Sequence, residues 1–358
     1  MKRRKRQTML RFLNDYQHGA HPQVMQQLQE INGQAFPGYG EDVICRRAAD
    51  TIRAWTGCAD AAVHFITGGT QANLTVIASL LRPHQGVIAA ATGHIHVHET
   101  GAVEATGHKV LAVDNAQGKV TAQAVRTLVH THRMDEAFEH TVQPGMVYIS
   151  HTTELGTIYQ LEELQSLSQA CRELGLPLFV DGARLGYGLT AEGADVNIHD
   201  IAKLADVFTI GGTKQGALFG EAIVFTNPAL AKDFRYHLKQ RGGMLAKGWL
   251  MGAQFEALMT DDLYGRLSCH AVGLAMRLKH GLREMGVPFL SNSPSNQQFP
   301  ILPNDVIAAL RRQFAFHAIE VVDESHIGVR FCTSWYTNPV DVEALLAALA
   351  EHIADSKS

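Results

Sequence analysis

Seven short apolar runs, alternating with longer segments of helical pattern, constrain the fold of this chain more than any other feature of its sequence. Apolar residues fill the runs without alternating with polar ones, as in the strands of a parallel sheet that helices cover on both faces. The runs comprise residues 63–67, 87–91, 110–113, 146–150, 178–180, 207–210 and 222–225. The sequence therefore predicts an α/β fold with a mainly parallel sheet.

The connections and the C-terminal part of the chain carry further patterns. Apolar residues from Leu161 to Leu174 recur at three- and four-residue spacing, which predicts an amphipathic helix ending at Gly175. A long helical pattern at 249–284 precedes strands and helices predicted at 298–302, 305–314, 329–333 and 340–353. We therefore predict three parts, namely a basic tail at residues 1–12, a large domain at 13–248 and a smaller α+β domain at 249–358.

Composition and charge limit the classes of partner. The net charge of -4 at pH 7 provides no field that would attract nucleic acid or an anionic membrane. The basic run at residues 2–6 is interpreted as a solvated tail. Neither a signal peptide nor a stretch of about 18 apolar residues is visible, so we expect a cytoplasmic protein without a membrane span. The five cysteines are scattered and odd in number, which favours reduced thiols.

Polar residues directly after the predicted strands are the first candidates for a functional site, because ligands of open α/β sheets bind outside the carboxyl ends of the strands. The sequence Gly68-Gly-Thr-Gln-Ala-Asn73 follows the run at 63–67. Its glycines allow close approach of the backbone, and the N–H groups of a helix start would hold a phosphate. A plain loop entering a helix explains the same pattern.

Asp181 and Lys214 follow two later strands. Asp181 stands at the end of an apolar run, where a buried carboxylate needs a cationic partner. That partner is either Arg184, in an internal salt bridge, or a protonated ring nitrogen of a cofactor. Lys214 lies among glycines between two apolar runs, and an amine in such a dry site becomes a nucleophile.

A run of histidines after residues 87–91 supports a competing class. His94, His96 and His98 at alternate positions could bind a metal, as in a metal-dependent hydrolase. Glu99 and the preceding glycine instead suggest a loop that turns into a helix, where only His94 and His98 share a face. An imidazole there could also stack on a flat cofactor ring. Glu154, which follows the run at 146–150, is a further candidate.

Taken in order, these motifs resemble the threonine aldolase family, a group of pyridoxal-phosphate enzymes with the aspartate aminotransferase fold. The resemblance runs from about Leu13 to the C-terminus. Within the family, the motifs look most similar to those of the phenylserine and low-specificity aldolases. It implies pyridoxal 5'-phosphate as cofactor and a homodimer or homotetramer with shared active sites. The residues that carry it are Thr67-Gly-Gly-Thr-Gln-Ala-Asn73, His94 with Glu99, Asp181-Gly-Ala-Arg184 and Gly212-Thr-Lys214.

The resemblance also assigns roles. Lys214 would form a Schiff base with the cofactor, Asp181 would keep its ring nitrogen protonated, and His94 would stack on the ring. Arg184 is implied beside the cofactor and, with Arg330, at the carboxylate of the substrate. The further implied contacts are Gly69, Thr70, Gln71 and, from a neighbouring subunit, Lys247 for the phosphate, and Asn14 and Tyr39 for the substrate.

The reaction implied is cleavage of the Cα–Cβ bond of a β-hydroxy-α-amino acid, which releases glycine and an aldehyde. Glu154 stands where many family members have a second histidine. It serves either as a base or as the mark of a different side-chain preference. A β-eliminating lyase or racemase on the same scaffold is the alternative, since only side-chain contacts choose the bond that breaks.

Overall fold

The computed structural model describes residues 9–114 and 116–355, and the basic run at residues 2–6 lies outside them. The strands are β1 Leu10–Arg11, β2 Ala62–Ile66, β3 Gln85–Ala90, β4 Val110–Val113, β5 Gln143–Ser150, β6 Leu178–Asp181, β7 Val207–Gly211, β8 Glu221–Phe225, β9 Phe289–Ser291, β10 Gln297–Pro303, β11 Phe314–Ala315, β12 His317–Val321 and β13 His326–Cys332. The helices are α1 Pro22–Ile31, α2 Val43–Thr56, α3 Gly69–Leu80, α4 His94–Val97, α5 Ala122–Met134, α6 Leu161–Leu174, α7 Leu185–Leu189, α8 Ile198–Leu204, α9 Phe234–Gln240, α10 Trp249–Met259, α11 Leu263–Glu284, α12 Asn304–Leu310 and α13 Pro339–Asp355.

A seven-stranded sheet with the order β2-β8-β7-β6-β5-β3-β4 forms the centre of the large domain. All its neighbouring strands are parallel except β8, which runs antiparallel to both β7 and β2. Successive residues of a strand pack into different apolar cores on the two faces of the sheet, as Val87 and Ile88 of β3 do. The predicted mainly parallel sheet with helices on both faces is therefore confirmed.

The helix predicted to end at Gly175 is confirmed, because α6 spans Leu161–Leu174 and Gly175 adopts the left-handed conformation of a helix C-terminus. Helix α6 buries Leu164, Leu167 and Cys171 against the sheet. The helical period and the terminal glycine were sufficient to predict α6 and its end, because both are signals within the segment itself.

Other predicted elements were wrong in extent. The single helix predicted at 249–284 is interrupted between α10 and α11, where Asp261 and Asp262 have φ of 50° and 52°. The helix predicted at 305–314 ends at Leu310, and Phe314 instead begins strand β11. The short strands β1, β9, β11 and β12 were not predicted; β12, for example, is exposed along its whole length and lacks the continuous apolar run that marked the strands of the large sheet.

The apolar cores divide the chain differently from the predicted boundaries. Phe12 is buried in the core of the C-terminal part, and β1 pairs with β11, so the predicted tail at 1–12 does not fit residues 10–12. Helix α10 buries Met251 and Phe255 in the core of the large domain, although the boundary was predicted at residue 249. Leu274 and Leu278 of α11 reach the C-terminal core. Helix α11 therefore contributes side chains to both apolar cores.

Within residues 9–114 and 116–355, no helix combines the length and the apolar character that a membrane span requires.

Candidate active site

A polar cleft lies where the parallel strands of the large sheet end. Strands β3, β5, β6 and β7 all deliver polar residues to it from the loops after their last residues. The cleft brings together many of the residues that the sequence singled out, namely Gly69, Thr70, His94, Glu154, Asp181, Arg184 and Lys214. This convergence follows from sheet geometry, since the carboxyl ends of parallel strands meet at one edge.

Two glycines allow the loop after β6 to approach the end of β7 closely. A Cβ added at Gly182 would overlap with the backbone oxygen of Thr209, and one at Gly211 would overlap with that of Ala183. The hydroxyl of Thr209 also accepts a hydrogen bond from the Gly182 N–H at 2.8 Å. The backbones that carry Asp181 and Lys214 are therefore locked together, which fixes the relative position of the two side chains.

Asp181 is a buried, well-bonded carboxylate. Its Oδ2 accepts hydrogen bonds from the Tyr148 hydroxyl at 2.6 Å and from Asn73 at 2.9 Å, and its Oδ1 accepts the Ala183 N–H at 2.9 Å. Burial alone would raise the pKa of Asp181. Attraction to His94 and these hydrogen bonds outweigh that effect and hold the pKa below its ordinary value. Asp181 therefore carries a negative charge into the cleft.

A chain of hydrogen bonds extends from this carboxylate through Asn73, Glu99 and His94 to Glu154. Asn73 also donates to Glu99 at 2.8 Å, and Glu99 Oε1 lies 2.8 Å from Nδ1 of His94. The backbone N–H of His94 donates to Glu154 at 2.9 Å. The Ser150 hydroxyl donates to Glu154 at 2.6 Å and lies 3.2 Å from the Tyr148 hydroxyl, but both hydroxyl protons are already donated, to Glu154 and Asp181, so this last contact is not a hydrogen bond. Each polar group orients its neighbour, so His94 and Glu154 are held in fixed positions relative to Asp181.

Burial dominates the acid–base properties of Lys214 and Glu154. It lowers the pKa of the Lys214 amine, and the nearby Arg184 lowers it further, whereas Asp15 and Glu221 act in the opposite direction. Burial raises the pKa of Glu154, although its hydrogen bond from Ser150 partly offsets the effect. An amine with a lowered pKa and a carboxyl with a raised pKa are suited to nucleophilic attack and to proton transfer near neutral pH.

Arg184 pairs with Asp15, and not with Asp181 as one sequence interpretation proposed. Its Nε and Nη2 donate to the two carboxylate oxygens of Asp15 at 2.7 and 3.0 Å, and Asn296 donates to the same carboxylate at 3.0 Å. Burial would raise the pKa of Asp15, but attraction to Arg184 and Lys214 brings it below its ordinary value. The paired edge of the guanidinium is thus fixed, and its remaining N–H groups can face a ligand.

The start of helix α3 borders the cleft through Gly69 and Thr70. The helix begins at Gly69, earlier than the predicted start near Asn73, so the N–H groups of its first turn are available to an anion. A Cβ added at Gly69 would meet no atom within 4 Å. The Gln71 side chain is already engaged, since its amide donates to the Arg241 carbonyl at 2.8 Å and its oxygen accepts from Thr67.

Four of the predicted residues do not line the cleft in this single chain. Lys247 is exposed, and Tyr39 is 46% exposed with the Lys239 amine above its ring at 4.5 Å. Asn14 accepts a hydrogen bond from the Tyr16 N–H, and Arg330 donates to the Leu13 carbonyl at 3.2 Å. None of the four lines the cleft. Lys247 and Tyr39 are the two that were expected to serve a neighbouring subunit.

The histidine run does not converge on one point. His94 begins the short helix α4, with His98 just beyond its end, and their ring centres are 5.5 Å apart. His96 and His98 are exposed. Among the residues that the structure describes, no three His, Cys, Asp or Glu side chains are grouped so that they could hold a metal ion. The geometry thus favours the helical interpretation of this stretch over a strand with three aligned ligands.

Fold and cleft together define an enzyme of the aspartate aminotransferase fold. The family model for beta-eliminating lyases matches residues 15–310, and the chain belongs to this family. A low-specificity L-threonine aldolase from Pseudomonas aeruginosa is 33% identical over 331 residues, covering 91% of this chain and 93% of the relative.

Solved structures agree with this assignment. A threonine aldolase from Leishmania major has a TM-score of 0.93 at 43% identity, covering 96% of this chain and 99% of the other. A double mutant of Thermus thermophilus aspartate aminotransferase has a TM-score of 0.69 at 15% identity, covering 96% and 91%. At that identity the second likeness shows the fold alone.

The polar groups that line the cleft fit pyridoxal phosphate, the cofactor that the sequence resemblance implies. The first turn of α3 suits a phosphate, the negative Asp181 suits a protonated pyridine nitrogen, and the Lys214 amine suits an aldehyde. The open space at Gly69 leaves room for the phosphate.

Proposed function

We propose that the protein is a pyridoxal-phosphate-dependent aldolase that cleaves a β-hydroxy-α-amino acid of the threonine or phenylserine type into glycine and an aldehyde. The observation that carries the proposal is the meeting of Lys214, Asp181 and the start of α3 in one cleft. The names of the Pseudomonas and Leishmania relatives support the same reaction. When bound, the cofactor supplies an electron sink for the bond that breaks at Cα.

The chain's own residues then have distinct tasks. With the cofactor bound, Asp181 would hold a proton at the ring nitrogen, His94 would stack on the ring, and Gly69 and Thr70 would bind the phosphate through the helix start. Arg184 presents its free N–H groups to the substrate carboxylate, because Asp15 occupies its other edge. Fixing the carboxylate orients the Cα–Cβ bond for cleavage.

The remaining assignments depend on residues outside the cleft of one chain. Asn14 and Arg330 lie in the segments next to the Asp15–Arg184 pair and are proposed to contact the substrate carboxylate. Tyr39 and Lys247 are proposed to reach the active site of a second copy in a homodimer or homotetramer, with Lys247 on the phosphate. Their exposure in the single chain is compatible with such an interface. We also propose a cytoplasmic location.

The reaction class is tested by the products released from a panel of β-hydroxy-α-amino acids. The purified protein with added pyridoxal phosphate is expected to release glycine and one equivalent of aldehyde from threonine or phenylserine. A β-eliminating lyase would instead release ammonia and a 2-oxo acid from threonine, and a racemase would change only the optical rotation. Either of these results without glycine would replace the aldolase proposal by the corresponding reaction on the same fold.

Glu154 is proposed to take the proton of the substrate β-hydroxyl. Replacing Glu154 by glutamine is expected to lower kcat about 10²–10⁴-fold, because the amide keeps the size but cannot accept a proton. Since burial raises the pKa of Glu154, wild-type kcat should fall as the pH drops through that raised pKa.

Ser150→Ala provides the matched comparison for Glu154. It removes a hydrogen bond that lowers the pKa of Glu154, so the acid limb of the kcat profile should move to higher pH. An unchanged profile in Ser150→Ala, together with full activity of Glu154→Gln, would remove Glu154 from the proposed chemistry. A change in the preference between threonine and phenylserine in Glu154→His would indicate that the residue also contacts the substrate side chain.

A further inference from the structure

Asn296 is a fully buried amide that the tasks described so far do not use. It lies directly before β10, in a segment at 293–298 whose polar side chains are all buried. Its Nδ2 donates hydrogen bonds to the Asp15 carboxylate at 3.0 Å and to the Thr333 carbonyl at 2.9 Å. Both protons of the amide are therefore used, one on a side chain of the N-terminal segment and one on the backbone after β13.

The amide oxygen of Asn296 indicates that packing alone does not explain this residue. Among the described residues, its buried Oδ1 has no hydrogen-bond partner. A buried acceptor without a partner is unfavourable, and an apolar side chain at this position would avoid that cost. The compensating contact is the one that Nδ2 makes with the Asp15 carboxylate.

The backbone of Asn296 is fixed, so its amide is a rigid support. The Thr333 N–H donates to the Asn296 carbonyl at 3.0 Å, and the Thr333 hydroxyl donates to the Ala271 carbonyl of α11 at 2.7 Å. The next residue, Gln297, is paired with Cys332 in the antiparallel strands β10 and β13. Asn296 is thus anchored to the sheet of the C-terminal part, and its Nδ2 reaches from that sheet to the N-terminal segment.

The contact at Asp15 continues into the cleft. Oδ2 of Asp15 accepts hydrogen bonds from Asn296 and, at 2.7 Å, from Nε of Arg184, which lines the cleft. Burial opposes the charge on Asp15, but attraction to Arg184 and Lys214, together with these hydrogen bonds, keeps its pKa below its ordinary value. Asp15 therefore remains a carboxylate, and a displacement of that carboxylate would also turn the guanidinium of Arg184.

The same N-terminal segment contacts a second arginine. The Leu13 carbonyl, two residues before Asp15, accepts a hydrogen bond from Nη2 of Arg330 at 3.2 Å. Arg184 and Arg330 are the two residues proposed above to bind the substrate carboxylate. By holding Asp15, Asn296 fixes the segment that contacts both guanidinium groups.

We propose that Asn296 is a positioning residue for the substrate carboxylate, acting through Asp15 on the Arg184 guanidinium. In this assignment it touches neither substrate nor cofactor. Its task is to hold Asp15 against Nε and Nη2 of Arg184, so that the remaining N–H groups keep one direction in the cleft. That these groups meet the carboxylate of an amino acid rests on the proposed function. The ligands whose binding depends on Asn296 are then amino acids, and not amines that lack a carboxylate.

The first test needs no cofactor and measures the guanidinium directly by nuclear magnetic resonance. In protein with ¹⁵N-labelled arginine, the Nε–H signal of Arg184 is identified as the one that disappears in Arg184→Lys. Its exchange with solvent is expected to be at least about tenfold faster in Asn296→Ala, because the hydrogen bond to a less firmly held carboxylate opens more often. Ser295→Ala is the matched control, since it removes a buried hydroxyl of the same segment that contacts Ser293. The exchange in this control should equal that of wild type.

The second test compares two amines on the protein loaded with pyridoxal phosphate, by the change in visible absorbance as each is added. Glycine carries a carboxylate, and methylamine does not. In Asn296→Ala the dissociation constant for glycine should rise about tenfold, the equivalent of one charge-assisted hydrogen bond, whereas that for methylamine should be unchanged. A merely structural role would alter both constants alike or neither. Ser295→Ala should keep both constants of wild type.

The outcomes separate this inference from the proposed function. Equal Nε–H exchange in wild type and Asn296→Ala would overturn the positioning role, whether or not the cofactor binds. Faster exchange with an unchanged ratio of the two constants would overturn the link to the carboxylate. A wild type whose absorbance responds to neither amine would contradict the proposed function, while the exchange comparison still tests whether Asn296 holds Arg184. If Asn296→Ala does not fold, Asn296→Ser replaces it with the same expected results, because the shorter hydroxyl has one proton for two acceptors.

Discussion

Replacing Lys214 with alanine is expected to abolish the visible absorbance band of the protein mixed with pyridoxal phosphate and to lower turnover at least about 10³-fold. Lys214 is the amine that lines the cleft with Asp181 and the start of α3. Burial lowers its pKa, which raises the fraction of uncharged, nucleophilic amine at neutral pH. Of the cleft residues in the described part of the chain, no other is a lysine.

The control for this substitution is Lys203→Ala, which removes an exposed lysine near the end of α8. It should keep both the absorbance band and the turnover of wild type. Circular dichroism and urea unfolding would establish that the Lys214 variant is folded. A folded Lys214→Ala protein with an undiminished band and full turnover would show that the cofactor is bound elsewhere.

Replacing Asp181 with asparagine is expected to lower kcat about 10²–10⁴-fold and to weaken retention of the cofactor. The amide keeps the shape of the carboxylate but not its charge, and a protonated ring nitrogen then loses its buried counter-charge. The hydrogen bonds from Tyr148, Asn73 and the Ala183 N–H were formed with that charge and are also weakened.

Tyr148→Phe is the matched variant for Asp181. It removes one hydrogen bond while the carboxylate stays, so its loss of kcat should lie between those of wild type and Asp181→Asn. A hydrogen bond to a charged group is worth about 1.5–3 kcal/mol, so the loss of kcat in Tyr148→Phe should correspond to a free energy in that range. Equal losses in both variants would assign the effect to geometry, and unchanged kcat in Asp181→Asn would show that no protonated ring depends on this residue.

Local signals made much of the fold predictable. Strands buried on both faces have uninterrupted apolar runs, and α6 has its period and its terminal Gly175. The same runs located Asp181 and Lys214, because a polar residue directly after a buried strand has few alternatives to a place at the sheet edge. The resemblance to the threonine aldolase family is confirmed by the comparisons.

The direction of a strand cannot be read from its apolar residues. Residues 222–225 were recognised as a strand, but nothing in the sequence predicted that β8 runs antiparallel to both of its neighbours. The sequence contained a weak indication that Tyr148 and Ser150 belong to the site, because two polar residues at alternate positions of a buried strand lie on the same face of the sheet. Asn73 is the last residue of the motif at 68–73, but the sequence assigned it no role.

Pairings between distant parts of the chain were equally invisible. Arg184 and Asp15 are 169 positions apart, and nothing local distinguishes Asp15 from Asp181 as the partner of that arginine. The interruption before α11 depends on two aspartates in a left-handed conformation, which non-glycine residues rarely adopt and which no local pattern predicts.

The docking of the N-terminal segment determines when the cleft becomes complete during synthesis. Strand β1 pairs with residues 314 and 315, and the Phe12 carbonyl accepts the Cys332 N–H at 2.9 Å. We therefore expect Asp15, only three residues after Phe12, to take its final position against Arg184 only after residue 332 has left the ribosome. Residues 10–15 are then among the last to be fixed. A nascent chain that stops short of β13 would carry Lys214 and Asp181 without a fully oriented Arg184 guanidinium.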